Sequence, residues 1–261
     1  LLPPARDVPV EGVEHEGGIR ELRLDRPPVN ALDPQLVHAL CAAVESAPRE
    51  GAQALLLSGS PGIFSAGLDV PALLELDRPA MQAFWTEFFR LCGALARSPI
   101  PVVAAVTGHS PAGGAVLALF CDYRVMARGS YRIGPNEVQV GLVAPDCIQA
   151  ALRRLVGSYR AERLLVEGAL LESEAALRTG FVDELADVDF VVARALAWAR
   201  QLLALPRHAM AGTRELARAD LAALFADPAK LPVQSFLDMW FAPETLASLR
   251  AMVERLKAKK A

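Results

Sequence analysis

The chain has 261 residues, 53% of them hydrophobic and 22% charged, with a formal net charge of -3. Such a composition excludes general disorder and allows a sizeable buried core. The near-balanced charge excludes a broad nucleic-acid or membrane-binding surface.

The opening "LLPPARDVPVEG" has no charged n-region ahead of an apolar core, so it does not read as a secretory signal. Residues 18–25, "GIRELRLD", alternate imperfectly as a strand does, with Ile19, Leu22 and Leu24 against Arg20, Glu21 and Arg23. "RPPVNALD" breaks that strand, and Asn30 or Asp33 can cap the next element. Leu36, Val37, Leu40 and Val44 then recur at helical spacing from Pro34 onward. "AQALLLSGS" is a short buried strand ending in a turn. Residues 71–96 read as helical, with Phe84, Trp85, Phe88, Phe89 and Leu91 on a wide face. "SPIPVVAAVTG" is a second buried strand, and a helix runs from Gly113 to about Phe120. "YRVMAR" and "YRIG" come next as short strands.

Strand, strand or turn, and helix repeat in that order, which predicts a layered α/β core. From about residue 148 the chain turns helical, with "FVDEL" a sparse strand signal. A soft boundary near 200 divides a core, 1–200, from a helical region, 201–261, that covers the core or serves oligomerisation. The tail "RLKAKKA", with Lys257, Lys259 and Lys260, reads as a solvated helix end, the sharper alternative being contact with a phosphorylated ligand. No apolar run approaches the ~20 residues a membrane span needs. Cys41, Cys92, Cys121 and Cys147 form no CxxC pair, which fits a reducing compartment. His15, His38 and His208 lack metal-ligand spacing, so no metal site is expected.

Two glycine-bearing turns come after the two buried strands: "GIFSAGLDV" and "GHSPAGGAV". Strand ends in an α/β layer are where ligand clefts form. Turns of this kind, entering helices, expose backbone N–H groups that no carbonyl has claimed. Side by side, they could aim two donors at one oxygen, as an oxyanion hole does. Gly113 and Gly114 could equally serve close helix–strand packing alone. The second turn is neither a dinucleotide fingerprint nor a P-loop, since GxGxxG spacing and a GK[ST] end are both missing. His109 and Ser110 are too close in sequence for a nucleophile and its base, and no GxSxG elbow is present. Asp69 and Asp122 read as turn caps, and Ser65 as a turn residue. Tyr159 and Arg160 read as support for helix packing. Taken alone, Glu137 is a surface carboxylate or a cap partner near Asn136.

"FSAGLD" and, further on, "AAVTGHSPAGGAVLALFCDYRVMA" resemble the crotonase, or enoyl-CoA hydratase/isomerase, superfamily. "RPPVNALD" and the later "GLVAPDCIQAALRRLVGSYRAERLLVEGALLESEAALRTGFVDEL" extend the likeness to roughly residues 10–200. The resemblance implies a spiral of ββα units with a C-terminal helical region, assembled as a homotrimer or a dimer of trimers. It implies an acyl-CoA thioester substrate, with no cofactor and no nucleic-acid or membrane partner. It assigns the backbone N–H groups of Leu68 and Gly113 to an oxyanion hole. Asn30, Ala31, Leu32, Ala66, Gly67 and Leu68, with Gly113 and Gly114, fall where the family cradles CoA and substrate.

Hydratases of this superfamily use two glutamates. The position of the first, three residues beyond the oxyanion glycine, holds Val116 here. The position of the second holds Glu137, in "RIGPNEVQVGLVAP", with Asn136 beside it as possible support. A single carboxylate suits a proton shuttle, and these strings resemble the mitochondrial-type Δ3,Δ2-enoyl-CoA isomerases. The implied step is auxiliary to oxidation of unsaturated fatty acids. Dienoyl-CoA isomerisation, hydration, thioester hydrolysis, carbon–carbon cleavage and non-catalytic acyl-CoA binding are the alternatives. The Ala/Arg/Leu bias points to a bacterial cytoplasm, with a mitochondrial matrix protein stripped of its presequence as the alternative.

Overall fold

The structure, a computed structural model, describes residues 9–258. The readings made on residues 1–8, Lys259 and Lys260 fall outside it; Lys257 is exposed near the end of the last helix. In chain order the elements are β1 (Val10–His15), β2 (Ile19–Leu24), α1 (Pro34–Ser46), β3 (Ala54–Ser58), β4 (Gly62–Ile63), α2 (Val70–Leu73) and α3 (Arg78–Ala96). Next come β5 (Val102–Val106), β6 (Gly108–Pro111), α4 (Gly113–Leu119), β7 (Tyr123–Ala127), β8 (Arg132–Gly134) and a 3-10 turn, Glu137–Val140. The remainder is α5 (Asp146–Val156), α6 (Ser158–Glu167), β9 (Leu171–Glu172), α7 (Ser173–Thr179), β10 (Glu184–Ala186), α8 (Val191–Leu203), α9 (Arg207–Ala217), α10 (Ala219–Ala223), α11 (Val233–Trp240) and α12 (Pro243–Ala258).

A large sheet runs in the order β1-β2-β3-β5-β7-β10, and a small one in the order β4-β6-β8-β9. The chain passes from a large-sheet strand to a small-sheet strand and then into a helix, three times over: β3–β4–α2, β5–β6–α4 and β7–β8–3-10 turn. This is the ββα spiral that the resemblance implied. Only the β1–β2 pair in the large sheet is antiparallel. β3 and β5 are buried throughout because both faces are covered. Leu55, Leu57, Val102 and Ala104 face the main core, while Ala54, Leu56, Val103 and Ala105 pack with Val191, Ala195 and Ala199 of α8.

Two sequence expectations change. The helical stretch 71–96 is interrupted between Leu73 and Arg78. Asp77 caps α3 by accepting from the Ala80 N–H at 2.9 Å, and Pro79 sits in its first turn, so the helix begins afresh there. The boundary drawn at 200 falls inside α8, which continues to Leu203 because its apolar face lies on the sheet.

The C-terminal helices bury Leu221, Phe225, Phe236, Leu237, Trp240 and Leu249 in the main core of their own chain. α12 also reaches the 3-10 turn, where the Thr245 hydroxyl donates to the Gly141 carbonyl at 3.1 Å. Beneath α9 and α10, Asp122 takes a two-pronged ion pair from Arg214, at 2.8 Å to each oxygen. Arg218 lies 3.3 Å from the same carboxylate and donates to the Phe120 carbonyl at 2.7 Å, at the end of α4. Among the described residues no helix is long and apolar enough to cross a membrane.

Candidate active site

The turn after β4 accounts for nearly all of its backbone donors. The Phe64 and Ser65 N–H groups donate to His109 O, Ala66 N–H to Val29 O, and Gly67 N–H to the Ser65 hydroxyl. Asp69 N–H donates to Leu32 O. Between them, Leu68 N–H has no hydrogen-bond partner among the described residues. Arg26, which the sequence reading did not single out, holds this turn in place. Its guanidinium pairs with Asp33 at 3.0 Å and Asp69 at 2.7 Å, and donates to Ala31 O at 3.1 Å. Those two aspartates cap α1 and α2, so one side chain ties both helix starts together. No local spacing reveals this, because Asp69 is brought in by the parallel bridge between Leu32 and Leu68.

The second turn supplies the other free donor. Gly113 N–H, at the first position of α4, also lacks a partner among the described residues, as first-turn amides do. Ala112 ahead of it has φ +47°, a conformation few non-glycine residues adopt. Two bonds hold it there: Ala112 N–H to Gly134 O and Val116 N–H to Ala112 O, both 2.9 Å. The two turns touch. A methyl on Gly67 would stand 3.0 Å from the Pro111 carbonyl oxygen and 3.3 Å from the Gly113 nitrogen. Gly114 is packed underneath, where a methyl would meet the Ser110 hydroxyl at 2.8 Å and Ser65 O at 2.9 Å.

Leu68, Gly113 and Glu137 line one small internal cavity. Glu137 is the only ionisable residue that lines it among those described. Its side chain is 8% exposed, and one carboxyl oxygen has no partner. Burial pushes its pKa up to about 7, against a small opposing contribution from its own backbone N–H. The remaining walls are Trp85, Phe88, Phe89, Leu142, Ile148 and Phe236, so three residues of the α3 aromatic face serve core and cavity at once. Phe84 faces a separate cleft with Pro34 and His38. On its other side, Glu137 borders an outer cleft of about 480 Å³. Two residues with unpartnered N–H groups and a carboxylate of raised pKa on one largely apolar cavity can hold an oxyanion while a proton is moved.

Other predicted residues sit elsewhere. Val116 is 1% exposed on α4 and is not part of the cavity lining. Asn136 donates to Gln139 at 3.3 Å instead of bonding Glu137. The Asn30 side chain is consumed internally, accepting from Arg26 N–H and donating to Phe64 O. Leu32 is fully buried with both backbone groups bonded, to Gly67 O and Asp69 N–H, and Ala31 O is taken by Arg26. His109 and Ser110 are not bonded to each other, and His109 accepts from Arg132 N–H. Tyr159 corrects the sequence reading: it is 70% exposed because it lies on the outer face of α6. All four cysteines are free and buried, and no group of three metal-ligating side chains occurs among the described residues.

The enoyl-CoA hydratase/isomerase family pattern matches residues 14–259. The human mitochondrial enoyl-CoA delta isomerase 1 is 32% identical over 246 residues, covering 93% of this chain and 82% of its own. A probable enoyl-CoA hydratase of Mycobacterium avium is 35% identical over 208 residues, covering 79% and 80%. The crystal structure of human mitochondrial delta3-delta2-enoyl-CoA isomerase superposes with a TM-score of 0.91 at 31% identity, over 97% of this chain and 100% of that one. Relatives of both activities thus match, and the chain is an enzyme of the enoyl-CoA hydratase/isomerase family.

Proposed function

We propose that this chain is a Δ3,Δ2-enoyl-CoA isomerase, converting 3-cis or 3-trans enoyl-CoA into the 2-trans isomer. One observation carries the reading: among the described residues Glu137 is the sole carboxylate on the cavity lined by Leu68 and Gly113, whose N–H groups have no partner. Val116, where a hydratase carries the first of its two glutamates, cannot exchange a proton or direct a water.

The thioester oxygen lies between the Leu68 and Gly113 amides. The Glu137 carboxylate removes a proton from carbon 2, and the electrons pass to that oxygen, forming a dienolate. The two N–H groups stabilise this charge more than they stabilise the neutral carbonyl, and one such donor is worth roughly 3 kcal/mol. Glu137, now protonated, delivers the proton to carbon 4, and the double bond ends between carbons 2 and 3. Its pKa near 7 lets the same group accept and return the proton at neutral pH. The apolar walls keep water from adding to the product. The chemistry calls for no metal, flavin or nicotinamide.

The family's dienoyl-CoA isomerases add a further acidic residue in the pocket. Asp146 is exposed and Cys147 lies outside the cavity lining, which favours the single-acid reaction. Assay of 3-enoyl-CoA with wild type and Glu137→Gln tests the proposal: turnover is expected to collapse in the variant, and equal rates would overturn the role of Glu137. Assembly as a homotrimer or a dimer of trimers belongs to the same reading, and light scattering on the purified chain tests it.

A further inference from the structure

The cavity ends in an aromatic wall built from two distant segments. α3 contributes Trp85, Phe88 and Phe89, and α11 contributes Phe236. The rings interlock edge to face: Trp85 and Phe236 lie 4.8 Å apart at 69°, Phe89 and Phe236 5.6 Å at 88°, Trp85 and Phe88 5.9 Å at 89°. Trp240 backs Trp85 at 5.9 Å. No ring in the set is more than 3% exposed. A ring held by several partners in T-shaped contact cannot swing aside without breaking all of them. The space between this wall, the two free amides and Glu137 is about 20 Å³, roughly one water-sized group. The reacting carbons themselves therefore already press on the rings, and each acyl carbon placed beyond them has to displace the wall further.

Resting on the isomerase reading for the position of the reacting carbons, we propose that Trp85, Phe88, Phe89 and Phe236 limit the acyl length, making this chain selective for short-chain acyl-CoA thioesters. Phe88 and Phe236 set the limit from the two sides, one on each contributing helix. In the outer cleft Arg153 and Glu162 stand among Val138, Val143, Leu165 and Val166, so that cleft is the competing route for a hydrocarbon tail, and the length series separates the two.

Calorimetric binding of saturated acyl-CoA thioesters of four, eight, twelve and sixteen carbons tests this on wild type, Phe88→Leu and Phe236→Leu. Wild type is expected to bind the four-carbon ester at least about tenfold more tightly than the twelve-carbon one, the scale of a pocket that excludes extra methylenes. Either leucine variant, checked for folding by its melting curve, is expected to recover about tenfold for the twelve-carbon ester. Equal or tighter binding of the longer esters by wild type overturns the proposal and routes the tail into the outer cleft. Folded variants that keep the wild-type profile also overturn it. If neither variant folds, the wild-type series alone decides. The saturated esters cannot isomerise, so failure of the reaction itself shows separately, as unconverted 3-butenoyl-CoA beside an intact length profile.

Discussion

Gly67 and Gly113 are in such close register that a methyl on the first would sit 3.3 Å from the backbone nitrogen of the second. The two turns that carry the free amides are therefore one packed unit. Gly67 also has φ +84°, where a side chain costs roughly 1–2 kcal/mol.

From this contact, Gly67→Ala is expected to lower kcat by about 100-fold, the cost of misplacing one of the two proposed oxyanion donors. Gly113→Ala is expected to do the same with less loss of stability. Its methyl would meet only the end of the Leu32 side chain, at 2.7 Å, which can move. Steady-state kinetics with thermal melts separate the two effects.

Glu137 predicts a pH signature with a definite sign. In the proposed mechanism the reaction starts from the carboxylate, so kcat/KM is expected to rise with pH through about 7 and then level off. Stability runs the other way. The folded carboxyl holds its proton more tightly than the unfolded one, so its contribution is full below about 4.5 and lost as pH rises through 7. Ionising it in the fold costs roughly 3 kcal/mol. Glu137→Gln is therefore expected to melt higher than wild type at pH 8 and at about the same temperature at pH 4.

Val116→Glu tests the argument against hydration. The variant is expected to raise hydration of 2-trans-enoyl-CoA on the order of 100-fold over a weak wild-type rate, as an added acid–base group can. It is also expected to destabilise the fold, since the site is 1% exposed. Loss of the enoyl absorbance measures the first effect. An unchanged hydration rate in a folded variant would remove position 116 from the explanation.

The Arg214–Asp122 pair anchors α9 beneath the end of α4. Both side chains are nearly buried, and Asp122 also accepts from Val102 N–H at 2.8 Å. Arg214→Met leaves a buried carboxylate short of its main partner and is expected to cost about 3–5 kcal/mol in urea denaturation. Adding Asp122→Asn should recover part of that loss, because the uncompensated charge is gone.

Local pattern alone revealed much of the molecule. β3, β5, α1 and α4 are legible from apolar runs, helical spacing and the residues that cap or break them. The two glycine turns are visible because they come directly after buried strands. β1 and β6 are harder to read. "VEGVEH" alternates with charges at an edge, and "GHSP" has no apolar period at all; it is a strand only because β4 and β8 lie beside it.

The sequence by itself determined where free amides could arise and that a valine, not an acid, occupies position 116. Which amides are free was decided by the tertiary structure. A turn N–H is consumed or spare according to carbonyls brought in from elsewhere: His109 and Val29 claim three donors around Leu68, and Leu32 claims the next. The same holds for Glu137. Nothing local distinguishes it from a surface carboxylate, and only the packing of α3, α11 and α4 around it buries it and raises its pKa. Burial and the pairing of donors depend on groups far apart in the chain, so they belong to the fold and not to any stretch of residues.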